Sequence, residues 1–243
     1  MLFRSSDFVK VPVGQLIAKS YAHSRAATID PNFATPLDAL TITPLASAES
    51  YNTTHYSVID AGGNRVGATL SINGWFGAGV VAGDTGVLLN NEIDDFSLGG
   101  GLANLYHLLG SKANAIAPRK RPLSSMSPTF VEDSKGVLVI GAPGGSRIIS
   151  MVLFGILDYI NQKDVDLLSI VTAPRYHHQY WPDVVEVEPG GFSDEWRSAL
   201  AAKGHLLKTG SRRWGNMQAV FKANGDGATQ AASDPRGFDM GGY

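Results

Sequence analysis

A polar, turn-forming segment ends at Asn52, and Thr53-Thr54-His55-Tyr56-Ser57-Val58-Ile59-Asp60 follows as an alternating run. Two hydroxyls and an imidazole open this strand-like run, and a hydroxyl can act as a nucleophile where a base is at hand. A threonine hydroxyl is a poor nucleophile until a base takes its proton. At a chain terminus the base is built in: the α-amine, with a reference pKa of about 7.7–8.0, is partly neutral at physiological pH. Inside an intact chain that nitrogen is an amide, so either threonine gains its base only after the preceding bond is cut. The same hydroxyl can attack the preceding carbonyl and form an ester that water hydrolyses. Taken alone, Thr-Thr reads as a pair of β-favouring residues opening a strand.

Other segments offer complementary groups. Ser71 and Asn73 stand two apart on a strand-like run and are expected to face the same way. Glu92 and Asp95 lie in Asn90-Asn91-Glu92-Ile93-Asp94-Asp95-Phe96-Ser97, a source of negative charge for an ammonium or a plain solvated turn. Ser124 and Ser125 sit between Pro122 and Pro128, which restrict the backbone and can preset both hydroxyls. Gly141-Ala142-Pro143-Gly144-Gly145-Ser146-Arg147 joins a buried strand to a helix. Consecutive glycines there let backbone amides approach an oxyanion or a phosphate. No Gly-Lys-Ser/Thr follows, so it is not the phosphate loop. His177-His178, with His55 as a third group, raises a metal site. Neighbouring residues of an extended segment point to opposite sides, however, so the pair is assigned a structural role.

These groups need a scaffold. Helical spacing predicts a helix over Val13–Ile29, ending before Asp30-Pro31, then an extended connector over Pro31–Tyr51. His55–Asp60, the turn Gly62-Gly63-Asn64 and Arg65–Ile72 read as a β-hairpin. Val137–Ile140 is a buried strand, Ser146–Asn161 and Val165–Thr172 are helices, and Val184–Glu188 alternates as a strand. Ser193 caps a helix to Lys203, and Met217–Phe221 is a late strand. Strands, then helices, then strand-helix-strand suit an α+β class with helices covering stacked sheets.

The chain has 243 residues and a formal charge of −2, enough length for a sizeable core and no field inviting nucleic acid or an anionic membrane. No apolar run is long enough to span a bilayer. Zero cysteines excludes disulfides, thiolate metal sites and a cysteine nucleophile. The first residues lack the apolar core of a secretory signal, which leaves either a protein that stays inside or a Met1 that is not the true beginning.

In order and spacing, the Thr53, Asn90–Ser97, Arg121–Pro128 and Gly141–Arg147 segments resemble γ-glutamyltranspeptidases. So do Ala232-Ser233-Asp234-Pro235-Arg236 and the final Gly-Tyr. The resemblance implies the αββα four-layer sandwich of N-terminal-nucleophile hydrolases, incomplete without an upstream large subunit. It implies cleavage at Asn52-Thr53, with residues 1–52 as the large-subunit tail and 53–243 as the catalytic small subunit. Thr53 is then the nucleophile, with Ser71 (where the family usually has threonine) beside it and the Gly144 and Gly145 amides as the oxyanion hole. Asn73, Glu92 and Asp95 hold the donor ammonium, and Ser124 and Ser125 its carboxylate. Gly99–Tyr106 forms a lid with Tyr106 at its closing position.

The implied donors are glutathione and other γ-glutamyl amides, with water or an amino acid or peptide as acceptor and no cofactor. An exported precursor would be periplasmic or extracellular, which favours an earlier true start than Met1. The family's upstream segment supplies an arginine to the donor carboxylate, so exposed apolar surface is expected where that segment docks. Two other readings accompany this one: a non-catalytic remnant or interaction subunit, and a related N-terminal-threonine amidase such as a β-lactam side-chain acylase.

Overall fold

The computed structural model describes residues 6–35, 53–97, 104, 112–179, 181–225 and 227–237. Its strands are β1 (Thr53–Ile59), β2 (Arg65–Ser71), β3 (Thr129–Glu132), β4 (Gly136–Gly141), β5 (Tyr176–His177), β6 (Val185–Val187), β7 (Leu207–Thr209), β8 (Gln218–Ala223) and β9 (Thr229–Ser233). Its helices are α1 (Val13–Leu16), α2 (Lys19–Ala26), α3 (Ile148–Asn161), α4 (Leu167–Thr172) and α5 (Asp194–Ala202). The chain divides into two units.

One unit comprises Ala48–Glu92, Ser125–His177 and Ser211–Tyr243. Its antiparallel sheet runs in the order β3-β4-β8-β9. All six residues of β4 are buried, as its unbroken apolar run predicts for a strand covered on both faces. Leu138 and Ile140 join Met151, Val152 and Tyr159 of α3 and Leu167, Ile170 and Val171 of α4 in the core. Val139 points the other way, toward Gly67 in the β1–β2 hairpin. Helices, sheet and hairpin therefore form three layers in this unit.

The hairpin register is Thr53↔Ser71, His55↔Thr69, Val58↔Val66. At its turn the Asp60 carboxylate accepts hydrogen bonds from the Asn64 backbone N–H and side chain, at 2.8 and 2.7 Å. The hairpin reverses the usual sidedness. Thr53 and His55 are buried on the inner face, whereas Tyr56, Val58, Val66 and Leu70 are exposed on the outer one. The expected exposed apolar surface is thus present; in a finished core these side chains would be covered.

The other unit comprises Met1–Ser47, Ile93–Ser124 and His178–Gly210. It contains the parallel pair β6–β7 and helix α5, where Ser193 Oγ accepts the Trp196 N–H as predicted. The single helix expected over Val13–Ile29 is instead α1 and α2, interrupted at Ala18, whose ψ of 133° is extended. Neither helix buries a residue, so no packing rewards continuing the turn. The connector beyond residue 35 lies outside the described residues. Among the described residues no helix is long and apolar enough to cross a membrane.

Candidate active site

Thr53 begins β1 with its side chain on the buried face, and Oγ1 shares a 2.9 Å hydrogen bond with Ser71 Oγ directly across the ladder. The Asn73 backbone N–H donates to the same Ser71 oxygen at 2.9 Å. That contact fills one lone pair of Ser71 and leaves its proton and second lone pair to Thr53. Asn73 does not reach Ser71 by the pleat. It lies past the end of β2 with φ of 68°, a left-handed conformation that asparagine tolerates, and the chain turns back there. Asn91 fixes this turn. Its carbonyl accepts Asn73 Nδ2 at 3.2 Å and its Oδ1 accepts the Gly74 N–H at 2.7 Å. The Glu92 N–H follows, donating to Asn90 Oδ1. Thr53, Ser71, Asn73 and Glu92 are therefore linked by short steps. Asn91 was not anticipated, and its only signal was the Asn-Asn pair.

The glycine turn follows β4. Gly144 has φ of 136° and Gly145 of 57°, and a Cβ on Gly144 would meet Met151 Cε at 2.6 Å, so both positions demand glycine. Gly145–Arg147 forms a 3-10 turn leading into α3, closed by the Arg147 N–H on the Gly144 carbonyl at 3.1 Å. Both glycines are half-buried at this helix start, where amides suit an oxyanion. Arg147 stacks over Trp214 at 4.9 Å and its carbonyl accepts Ser150 Oγ, which is also 2.8 Å from His177 Nδ1. Ser125 opens the loop before β3, its carbonyl accepting Ser127 Oγ at 3.0 Å.

In the other unit, Asn114 is buried and uses both ends of its amide. Nδ2 donates to the Asp95 carbonyl at 2.8 Å, and Oδ1 accepts the Leu123 N–H at 3.1 Å. The acidic turn and the start of the serine loop, which reaches Ser124, are stitched together by a residue that carried no sequence signal. Lys120, from the short basic cluster, is used internally on the Ala113 and Ala115 carbonyls. His178 is exposed and pairs with Asp183 at 2.9 Å, while His177 is buried. Asn52 and Tyr106 lie outside the described residues.

His55 occupies the inner face two residues after Thr53. Its Nδ1 is 2.8 Å from Thr69 Oγ1 and its Nε2 is 2.9 Å from Ser57 Oγ. Ser57 donates its one proton to the Gln218 carbonyl at 3.3 Å, so Nε2 carries the ring proton and Nδ1 accepts from Thr69. Burial lowers the His55 pKa to about 4, so the ring is neutral at pH 7. Unfolded, it would take a proton at its ordinary pKa near 6.5; folded, only near 4. Stability is therefore lost as pH falls through that window. Acidification from pH 7 to 5 is expected to cost about 2 kcal/mol through this group. Urea unfolding at the two pH values should lose most of that difference in His55→Asn.

A family model, Gamma-glutamyltranspeptidase, matches residues 3–241. The chain belongs to the γ-glutamyltranspeptidase family. The glutathione hydrolase proenzyme of Escherichia coli (strain K12) is 47% identical over 234 residues, covering 96% of this chain and 40% of that protein. The glutathione hydrolase proenzyme of Pseudomonas sp. (strain A14) is 41% identical over 240 residues, 95% of this chain and 41% of its own length. A crystal structure of a Helicobacter pylori γ-glutamyltranspeptidase mutant superposes with a TM-score of 0.72 at 42% identity, over 76% of this chain and 100% of that one. The chain spans about 40% of the length of the curated relatives it matches. Its fold is that of the N-terminal-nucleophile hydrolases, as the motifs implied.

Proposed function

We propose that this chain carries the catalytic portion of a γ-glutamyl transferase/hydrolase acting on glutathione and related γ-glutamyl amides. The carrying observation is the Thr53–Ser71 hydroxyl pair, buried at the head of β1 and backed by the Asn73 amide. Cleavage of Asn52–Thr53 frees the Thr53 α-amine. That amine takes the hydroxyl proton as Oγ1 attacks the γ-carbonyl, and the Gly144 and Gly145 amides receive the oxyanion. The donor's γ-amide C–N bond breaks, its amine leaves with the proton held by the Thr53 α-amine, and water or an acceptor amine resolves the Thr53 ester. Asn73, Glu92 and Asp95 are assigned to the donor ammonium, and Ser124 and Ser125 to its carboxylate.

A division into residues 1–52 and 53–243 has independent support. The Helicobacter pylori chain is wholly matched by 76% of this one, roughly the share that residues 53–243 make up. The exposed outer face of the hairpin supports an upstream large-subunit segment as partner. The second reading, a non-catalytic remnant or interaction subunit, is kept because the same apolar surface suits a partner in either case.

The test is turnover of a γ-glutamyl anilide by the chain alone and by the chain co-expressed with the upstream segment of the Escherichia coli relative. Activity is expected only in the second case, and none with Thr53→Ala. No rescue by an upstream segment would leave the remnant reading, and turnover of β-lactam side-chain amides in preference to γ-glutamyl donors would mark a different amidase. In the active assembly Asp95→Asn removes a charged hydrogen bond worth about 1.5–3 kcal/mol, so donor KM should rise about ten- to a hundredfold with self-cleavage retained. An unchanged KM would return Asp95 to a solvated turn.

A further inference from the structure

We propose that His55 is a positioning residue for the Thr53 reaction, a neutral spacer that sets the nucleophile strand against the backbone feeding the oxyanion turn. The inference rests on Thr53 as nucleophile and concerns what holds it in register with Gly144 and Gly145.

Thr53 and His55 are successive residues of the inner face of β1, hydrogen-bonded to Ser71 and Thr69, their direct partners across the same ladder. Rotation of the His55 ring would break its contacts to Thr69 and Ser57, and through Ser57 the link to β8. The other side of the ring meets β4. A Cβ on Gly141 would lie 2.2 Å from His55 Cε1 and 2.4 Å from Nδ1, so the imidazole occupies the space a side chain at 141 would take. Ala142 and Pro143, both buried, are all that separate Gly141 from Gly144. The contact therefore bears on a short linker that transmits displacement to the oxyanion amides.

His55 is not a proton carrier in this scheme. Both nitrogens are occupied, the ring is 4% exposed, and burial keeps it neutral. A neutral ring suits the spacer role, since protonation would convert Nδ1 to a donor and break the match with Thr69, whose proton it accepts.

The experiment uses enzyme assembled with its upstream segment and compares His55→Phe, His55→Asn, Gly141→Ala and Gly141→Ala/His55→Ala. His55→Phe keeps an aromatic ring without its hydrogen bonds, and Gly141→Ala pushes the ring from the other side. Both are expected to lower kcat and the self-cleavage rate by up to about a hundredfold, the scale of misplacing reacting groups by about 1 Å. Donor KM should stay within about twofold, since no donor contact is touched. His55→Asn should recover part of kcat. The double variant should outperform Gly141→Ala alone, because the vacated ring space accepts the new methyl.

Rates are normalised to folded protein by near-UV circular dichroism. Wild-type kcat in folded His55→Phe, a rise in KM at constant kcat, or a double variant no better than Gly141→Ala would overturn the proposal. If His55→Phe does not fold, Gly141→Ala and its double variant decide on the same terms. Turnover that survives Thr53→Ala would sink the nucleophile reading instead, while the stability coupling between positions 55 and 141 would persist, so the two failures are separable.

Discussion

Folded protein is expected to separate between Asn52 and Thr53, giving residues 1–52 and 53–243 by intact mass, and Thr53→Ala should abolish the cut completely. Two adjacent threonines could do this chemistry, and the hairpin distinguishes them. Thr53 is buried and shares a hydrogen bond with Ser71, whereas Thr54 lies on the exposed face opposite Leu70. A strand cannot present both hydroxyls to one site. Thr54→Ala should therefore leave cleavage intact, and Thr53→Ser should retain it. Ser71→Ala removes one neutral hydrogen bond and should slow cleavage by no more than about tenfold. The measurement is run on the chain alone and on the chain joined to its upstream segment. Intact wild type in both after long incubation would favour the non-catalytic reading, and a cut at another bond would remove Thr53 from the mechanism.

The distinction between the threonines also marks where sequence reading stopped. Alternation from Thr53 to Ile59 and the Gly62-Gly63-Asn64 turn were sufficient to read a hairpin, but not to say which face is covered. The usual assumption buries the apolar set, Tyr56, Val58, Val66 and Leu70. Here that set is exposed and the hydroxyl and imidazole set is buried. The inner face is stable because its polar groups satisfy one another, a property of cross-strand geometry that composition does not carry. For that reason Thr69 and Ser57 carried no signal and Asn91 only that of the Asn-Asn pair, whereas Thr53, Ser71 and Asn73 were singled out by family resemblance.

Strands followed the same logic. The apolar run of β4 was legible and its boundaries were nearly right. β3, β5, β7 and β9 were missed: the first three are only four, two and three residues long, and Thr-Gln-Ala-Ala-Ser is small, polar and mostly exposed at a sheet edge. Pairing with β8, rather than intrinsic preference, makes β9 a strand.

The end of β9 carries the largest stability effect expected from one side chain. Asp234 is fully buried, with Arg175 Nη2 at 2.6 Å on one oxygen and Arg236 Nη1 at 3.0 Å on the other. The Met217 and Arg236 backbone N–H groups also donate to it. The two guanidiniums reach onward, Arg175 to the Trp214 and Val171 carbonyls and Arg236 to the Thr172 and Ala173 carbonyls at the end of α4. One carboxylate thus bridges two guanidiniums that tie β8, β9 and α4 together.

Replacing such a cluster wholesale with apolar groups can be neutral, but removing the carboxylate that both guanidiniums share is costly, because it takes away a charge in direct contact with each of them. Asp234→Asn is expected to cost about 3–5 kcal/mol, lowering Tm by on the order of 10 °C in calorimetry. The triple change Asp234→Leu/Arg175→Leu/Arg236→Met should lose less than Asp234→Asn alone, since it removes the charges together. The cluster also reaches the glycine turn after β4. Arg175 holds the Trp214 carbonyl, and the Trp214 ring carries Arg147, which closes the turn beginning at Gly144. Asp234→Asn should therefore lower kcat even at temperatures where the protein is fully folded. If Tm falls by less than about 2 °C, the ion cluster is not what anchors β9. If Tm falls and kcat per folded molecule does not, the Trp214–Arg147 contact does not transmit its loss to the Gly144 and Gly145 amides.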